Sequence, residues 1–289
     1  MHKLALKKEI LVKGLNLLKK YLRNIPFVES SHKEIYRLFS IFVRKEHIAM
    51  FHTGRCGSTI LGHMLNDHSK VFWAHEIFEK FMQAEEKERK RRIVEHIINQ
   101  SRQSEIWTIY GFETKYLPQQ HLSHKCINMD LEDYITLLRK LNFSKFIVLH
   151  RNNYLRRAIS AQVGRHSKLW HSKQEVTSPI KINLDINSFV TGIRREPILE
   201  LFSCMDKSFD RLKELLLYDD TLYLNYEDDI LEDPRIAYRK VCDFVGIVDE
   251  SPNIKFFRTN PFRYEDVVIN FEQVKAILRD TKYSWMLDD

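Results

Sequence analysis

Short apolar runs and longer amphipathic segments alternate along this chain from about residue 46 onward. The apolar runs have the length and composition of buried strands, whereas the segments between them repeat apolar residues every three or four positions, as helices do. Strands are predicted over residues 48–51, 71–73, 110–116, 145–150 and 221–226. Helices are predicted over residues 58–66, 77–100, 131–141, 154–163, 189–217, 234–245 and 271–278.

This alternation predicts the fold class. Buried strands separated by helices are typical of an α/β protein, here with a P-loop-like central parallel β-sheet flanked by helices. In such sheets ligands bind beyond the C-terminal ends of the strands. Residues 26–289 are expected to form a single domain, and the polar, aperiodic stretch 165–187 is expected to be a long lid or acceptor-binding loop.

The first 25 residues have a pattern of their own. Leucines recur at helical spacing against a lysine-rich face, which predicts a basic amphipathic helix over residues 1–25. Lysines interrupt any apolar core of a signal peptide. The helix is expected to pack on the domain or on a partner, and contact of residues 1–24 with a membrane surface is the alternative.

Composition narrows the class of ligand. The net charge is +7 and the isoelectric point is near 9.1, which favours an anionic ligand, a nucleic acid or a membrane surface. Acidic residues interrupt the basic runs, so these indicate solvated helix faces rather than a nucleic-acid site. The 4 cysteines are widely spaced and form no C-x-x-C pair, and no apolar run could span a bilayer. A cytoplasmic protein without disulfides is expected.

The most informative segment follows the first predicted strand. Residues 54–59 read Gly-Arg-Cys-Gly-Ser-Thr and lead directly into a helical pattern. Glycines allow close backbone approach to an anion, the helix N-terminus supplies N–H groups, and Arg55 adds a planar cation. The lysine of a nucleoside-triphosphate loop, G-x-x-x-x-G-K-[ST], is missing. The segment therefore predicts either an anion site of another kind or an ordinary strand-to-helix turn.

A second strand end carries a similar signal. Arg151 directly follows the apolar run 145–150, and Ser160 lies two turns into the helix that begins near Tyr154. Both side chains could reach one phosphate held beside that helix. The alternative is an arginine that caps carbonyl groups at the sheet edge and a serine on a helix face.

Together these two segments resemble the sulfotransferases that use 3′-phosphoadenosine 5′-phosphosulfate (PAPS). The family's first loop, [K/R]-x-G-[S/T]-[S/T], is matched by residues 55–59, and its R-x-N-x-L-x-x-x-x-S form is matched by residues 151–160. Residues 222–228 and 233–246 are similar to its Y-L-x-Y-E-D…D-P…F-[VL]-G segment. Residues 270–285 are similar to the closing segment of bacterial and carbohydrate-type members.

The resemblance implies roles for individual residues. Arg55 is assigned to the bridging and leaving oxygens of the sulfuryl group, and Arg151 and Ser160 are assigned to the 3′-phosphate. Tyr226 stands where the family's tyrosine borders the adenine. The expected donor-binding set, with no metal, is Arg55, Cys56, Gly57, Ser58, Thr59, Ile60, Arg151, Ser160 and Tyr226.

For the general base, the family offers two patterns. Tyr116 occupies the place of the histidine in the K-T-H-L-P segment of cytosolic members. Carbohydrate-type members have a carboxylate after the second strand, and Glu76 matches it. Glu76 is therefore the expected base, with His75 as the fallback and Glu113 and Lys115 as weaker choices.

The resemblance predicts transfer of a sulfuryl group from PAPS to an acceptor hydroxyl, here of a carbohydrate or related alcohol, by in-line attack with a carboxylate base. Trp107, Trp170, His166 and His171 are candidates for the acceptor pocket. Two other functions stay open. A P-loop nucleotide kinase or NTPase would need magnesium, and a basic non-catalytic binding module would leave Arg151 and Ser160 unexplained.

Overall fold

The computed structural model describes residues 46–78, 86–103 and 108–288. The predicted helix over residues 1–25, its alternative contact with a membrane, and Trp107 all lie outside these residues. Within them the expected fold class is confirmed: a central parallel sheet is flanked by helices. Across the same part of the chain, no helix combines the length and the apolar character that crossing a bilayer requires.

The central sheet has five strands in the order β2-β3-β1-β4-β7, and all neighbours pair in parallel. A separate hairpin is formed by β5 and β6. The strands are β1 (His47–His52), β2 (Val71–Glu76), β3 (Ile109–Lys115), β4 (Lys145–His150), β5 (Phe189–Thr191), β6 (Arg194–Glu196) and β7 (Asp220–Asn225).

Helices connect the strands and cover both faces of the sheet. They are α1 (Ser58–Asp67), α2 (Glu86–Ser101), α3 (Leu131–Lys140), α4 (Tyr154–Ser167), α5 (Ile198–Leu215), α6 (Tyr226–Asp229), α7 (Arg235–Val245), α8 (Tyr264–Val267), α9 (Phe271–Leu278) and a closing 3₁₀ turn (Ser284–Leu287). The α1 and α4 helices matter most for the site, because each begins just after a central strand ends.

The side chains of the sheet divide between two cores. Ile48 and Met50 of β1 pack with helices α1 and α7, whereas Ala49 and Phe51 belong to the larger core beneath α3, α4 and α5. Every residue of β1 is buried. This explains why the strand reads as an unbroken apolar run instead of an alternating one.

The predicted helix over residues 189–217 is wrong in its first third. Residues 189–196 form the β5–β6 hairpin, and the helix begins only at Ile198. Gly192 has a φ of +58°, and a Cβ there would come within 1.8 Å of the Gln119 carbonyl oxygen. A glycine turn and Pro197 therefore separate two elements that share apolar spacing.

The boundaries around the second strand also differ from the prediction. Residues 71–76 are strand, and Ile77 and Phe78 lie in a turn where a helix start was expected. The helix there is α2, which begins at Glu86. His75 has a φ of +54°, and the register to β3 shifts between Trp73 and Glu76. This bulge makes Glu76 the last residue of its strand and turns it toward the neighbouring strand ends.

Candidate functional site

The loop between β1 and α1 has an unusual backbone. Gly54, Arg55 and Gly57 all have positive φ, at 80°, 58° and 85°. A Cβ at Gly57 would come within 2.5 Å of the Ile230 side chain, so glycine is required there for space as well as for conformation. Successive residues in such conformations form concave turns of backbone N–H groups, which bind anions.

The N-terminus of α1 completes this anion site. Gly57 precedes the helix, no side chain caps it, and its first turn carries no acidic residue. The first amides of a helix lack partners within the helix and sit at the positive end of its dipole. Ser58 and Thr59 lie at this end and line the cleft described below. The end of α1 thus offers several donors to an anion.

The side chain of Arg55 holds three segments together. Its Nε donates to Ser160 Oγ at 2.9 Å, its Nη1 to the Trp170 carbonyl oxygen at 2.7 Å, and its Nη2 to Thr259 Oγ1 at 2.5 Å. Arg55 has no carboxylate partner among the described residues. Its positive charge is therefore available to a ligand.

Arg151 occupies the equivalent place at the end of β4. Its guanidinium stacks over the Tyr226 ring at 4.1 Å, and its Nη1 donates to the Arg55 carbonyl oxygen at 2.8 Å. Glu227 lies 3.9 Å from Arg151 Nε, but its carboxylate also accepts the amide N–H groups of Asn152 and Asn153. Glu227 therefore binds the backbone just before α4, and it only partly compensates Arg151.

A half-buried cation, Arg55, and a buried one, Arg151, therefore stand side by side. Burial lowers the pKa of Arg55 to about 10, and the positive charge of Arg151 adds to this effect. Burial also lowers the pKa of Arg151. Both guanidinium groups remain charged at neutral pH. Two close cations in a partly desolvated site create a strong potential for a multiply charged anion.

A cleft of about 380 Å³ opens over both strand ends. Most of the predicted donor-binding residues line it: Arg55, Gly57, Ser58, Thr59, Ile60, Arg151, Ser160 and Tyr226. Cys56 does not line it, because its side chain packs in the core beneath α1, where burial raises the pKa of the thiol to about 11. The two anion sites predicted from separate segments thus belong to one cleft.

A second, smaller lobe of about 200 Å³ adjoins this cleft. Five residues line both spaces: Arg55, Ser58, Thr59, Trp170 and His171. The predicted base Glu76 lies in the smaller lobe together with Lys115. Arg55 therefore stands at the junction between the predicted donor residues and the predicted base. His166, a third candidate for the acceptor pocket, is exposed on α4 and lines neither space.

Glu76 is held by basic groups. Lys115 Nζ donates to its Oε2, His121 Nε2 lies 3.5 Å from the same oxygen, and His52 Nε2 lies 3.7 Å from Oε1. Burial by itself raises the pKa of Glu76, but His121 and the positive charge of Lys115 outweigh that effect, and the pKa falls below its usual range. Glu76 is therefore ionised at neutral pH.

A buried histidine and a second carboxylate lie behind Glu76. His52 Nδ1 accepts the amide N–H of Gly54 at 3.1 Å, so the proton of the neutral ring is on Nε2. That Nε2 lies 3.8 Å from Glu113 and has no hydrogen-bond partner of its own. Burial lowers the pKa of His52 to about 3 and raises the pKa of Glu113.

His52, Glu76 and Glu113 are also the group of described residues whose ligand atoms could surround a metal, since those atoms lie within 4.8 Å of one another. Two contacts disfavour a cation there. The ring lone pair of His52 already faces Gly54, and the Lys115 ammonium group already neutralises Glu76. These three side chains are better suited to sharing a proton than to binding a metal. The absence of a metal stays a prediction.

Glu113 also contacts His75, the alternative base predicted from the sequence. Its Oε1 accepts the Trp73 indole N–H at 3.0 Å and lies 3.2 Å from His75 Nδ1. A Cβ on Gly62 would come within 2.2 Å of the same oxygen. Gly62 of α1 thus leaves the space that this buried carboxylate fills. His75 faces Glu113 and does not line the smaller lobe.

Several residues of the site could not be found from short motifs. Thr259 belongs to an irregular segment far along the chain, and no short motif marks it. Arg157 and Arg165 line the smaller lobe. Their spacing of eight places both on one face of α4, but the sequence does not show that this face contacts the loop at residues 53–59.

Comparison with known proteins returns distant structural neighbours. A sulfotransferase from Alicyclobacillus acidocaldarius is 10% identical, with a TM-score of 0.44 over 84% of this chain and 95% of that one. The sulfotransferase domain from the curacin biosynthetic pathway is 15% identical, with a TM-score of 0.37 over 72% of this chain and 76% of that one. No protein-family model and no curated protein matches the chain. At these values, function has to be inferred from the site.

Proposed function

We propose that this protein is a sulfotransferase that moves the sulfuryl group of PAPS to an acceptor hydroxyl. One observation carries the proposal: two strand-end anion sites meet in one cleft, and a smaller lobe with an ionised carboxylate adjoins it. PAPS carries negative charge at both ends of its ribose, so it needs two cationic sites a short distance apart. The predicted donor-binding residues supply both.

The donor is proposed to lie along the larger cleft. The N-terminus of α1, with Ser58 and Thr59, holds the 5′-phosphate, because these donors have no competing cap. Arg151 and Ser160 hold the 3′-phosphate, and Tyr226 borders the adenine. Ser160 lies 2.9 Å from Arg55 Nε, so a ligand there would exchange that contact for one with phosphate.

Arg55 is the proposed electrophilic catalyst. It lines both spaces and therefore reaches the point where the donor and acceptor meet. During transfer the acceptor oxygen forms a bond to sulfur, and the bond from sulfur to the bridging oxygen breaks. The bonding electrons leave with the nucleotide, as 3′-phosphoadenosine 5′-phosphate (PAP). A preorganised guanidinium stabilises that developing charge.

Glu76 is the proposed base, and it accepts the proton of the acceptor hydroxyl. Its ionised state makes it ready to do so, although Lys115 and His121 reduce its basicity. Proton uptake is therefore expected late in the reaction, when the attacking oxygen has become acidic. The resemblance described above supports a carbohydrate or related alcohol as acceptor, and a cytoplasmic setting stays part of the proposal.

Radiolabelled PAPS offered with a panel of hydroxyl compounds tests the proposal. The wild-type protein is expected to label at least one acceptor in the presence of EDTA. Glu76→Gln should reduce labelling by about 10²- to 10⁴-fold, and Glu272→Gln, which replaces an exposed glutamate of α9, serves as the matched control. Transfer of phosphate from ATP that requires magnesium would identify a kinase instead and contradict the proposal.

A further inference from the structure

Helix α4 presents two adjacent faces to the site. Arg156 and Ser160, four residues apart, line the larger cleft. Arg157, Ala161 and Arg165, also at intervals of four, line the smaller lobe. Residues four apart lie on the same face of a helix, so one helix serves both spaces with different side chains. The proposed function uses the first face and leaves the second unexplained.

Arg157 is the unusual residue of that second face. It is 3% exposed, and among the described residues its guanidinium makes one hydrogen bond, from Nη2 to the Thr53 carbonyl oxygen at 2.5 Å. Its Nε is buried without a partner. No carboxylate of the described chain pairs with it. Burial lowers its pKa to about 10, so the group is still charged at neutral pH.

A buried guanidinium without a counter-charge is costly, and such groups are normally paired. The hydrogen bond to Thr53 does not explain its presence, because Gln120 Nε2 donates to the same carbonyl oxygen at 2.9 Å. The fold would therefore keep that carbonyl satisfied without Arg157. Among the residues that the structure describes, none supplies an anionic partner for Arg157.

The other charged residues of the smaller lobe are also mostly positive. Arg165 is half-buried, donates to the Val190 carbonyl oxygen and to Gln162, and pairs with no described carboxylate. Lys115 is already paired with Glu76. Within the described part of the chain, no carboxylate neutralises Arg55, Arg157 or Arg165, and Glu76 is the one acidic residue that lines this lobe.

We infer that the smaller lobe binds an acceptor through an anionic substituent, a carboxylate, sulfate ester or phosphate ester, held by Arg157 and Arg165. The identification of this ligand as the acceptor rests on the proposed function, whereas the anion site itself does not. The substituent binds on the α4 side of the lobe, and the hydroxyl to be sulfated points toward Glu76. Neutral alcohols lack the group that these arginines require.

Thermal unfolding in millimolar sulfate, with chloride making up constant ionic strength, tests the anion site. The donor site is saturated with PAPS, so that its phosphate and sulfuryl positions are filled. The wild-type midpoint is expected to rise with sulfate, and the rise should be lost in Arg157→Gln and Arg165→Gln. Arg239→Gln, which removes an exposed arginine of α7, should keep it. Arg157→Lys should recover part of it.

The unfolding midpoint of Arg157→Gln without sulfate shows whether the variant folds normally. Because it removes an unpaired buried charge, its midpoint in sulfate-free buffer should equal or exceed the wild-type value.

Loss of the wild-type sulfate response when PAPS is bound would mean that these arginines hold the donor's own sulfuryl group, which would overturn the inference. An unchanged sulfate response in Arg157→Gln would also overturn it. If PAPS does not bind at all, the proposed function fails, yet a smaller sulfate response in Arg157→Gln than in wild type would still support the anion site.

Matched acceptors then test the substituent. Methyl glucoside, methyl glucuronide and glucose 6-phosphate share hydroxyl groups and differ in charge. An anionic member should be used with a kcat/KM roughly tenfold to a hundredfold above the neutral one, the range expected for a charge-assisted hydrogen bond. Arg157→Gln should remove that preference. Equal or better use of the neutral glucoside would contradict the inference.

Discussion

Arg151 donates a hydrogen bond from Nη1 to the carbonyl oxygen of Arg55, at a distance of 2.8 Å. This bond joins the end of β4 to the loop after β1, so that each anion site positions the other. Arg55 in turn donates a hydrogen bond from Nε to Ser160 of α4. The two anion sites, whose arginines are 96 positions apart in the sequence, are therefore parts of one structural unit.

Replacement of Glu76 by glutamine tests the proposed base. The amide keeps the shape of the side chain but cannot take up the acceptor proton, so kcat should fall by about 10²- to 10⁴-fold. The affinity for PAP, measured by calorimetry, should be unchanged because Glu76 lines only the smaller lobe. Full turnover in this variant would remove Glu76 from the mechanism.

Lys115→Met tests how the basicity of Glu76 is set. The Lys115 charge helps to lower the pKa of Glu76, and a base must be deprotonated to act. Activity therefore persists to low pH in the wild type and is lost only as the pH falls through that lowered pKa. In the variant the pKa rises, and the acidic limb of kcat/KM should move up by about one pH unit or more.

The pH profile separates this effect from a general loss. A merely structural role of Lys115 would reduce kcat/KM by the same factor at every pH and leave the acidic limb where it was. That outcome would contradict the assignment of Lys115 as the group that tunes Glu76.

Gly62→Ala tests the buried carboxylate network. The added methyl group would lie within 2.2 Å of Glu113 Oε1, so the variant should lose about 1–3 kcal/mol of unfolding free energy in urea titrations. In a Glu113→Ala background that closest contact is removed and Trp73 Nε1, at 2.9 Å, becomes the nearest atom, so the same substitution should cost less. Equal costs in the two backgrounds would mean that Glu113 does not fill the space beside Gly62.

Stability at acid pH should depend on His52. Its pKa is about 3 in the folded chain and 6.5 ordinarily, so the unfolded chain binds the proton more tightly. The unfolding free energy contributed by His52 is complete above about pH 6.5 and is lost as the pH falls toward 3, by up to about 1.4 kcal/mol per unit. Urea titrations between pH 7 and 4 should show a shallower decline in His52→Asn.

Part of the site was predictable because it depends on local backbone chemistry. Gly54 and Gly57 mark the positive-φ loop before α1, and Arg151 directly follows its strand, so both positions can be found from neighbours in the sequence. Glu76 ends its strand as expected, although the strand is longer than its apolar run. Most of the predicted sheet and helices follow from periodicity in the same way.

The rest depends on contacts between distant segments. Thr259 reaches Arg55 across 204 positions, and nothing in its own neighbourhood indicates that contact. Arg157 looks like an ordinary helix arginine until α4 is seen to bury it against Thr53. The apolar residues of segment 189–196 suit either a helical or a strand period, and the packing of Gly192 on Gln119 decides for the hairpin.

The affinity of the protein for PAP compared with 5′-AMP, measured by calorimetry, tests the central claim that both anion sites hold one nucleotide. AMP lacks the 3′-phosphate, so the wild type should bind PAP about tenfold to a hundredfold more tightly than AMP, and Arg151→Gln should remove most of that preference. Equal affinities for the two nucleotides in the wild type, or a preference that survives in Arg151→Gln, would contradict the account.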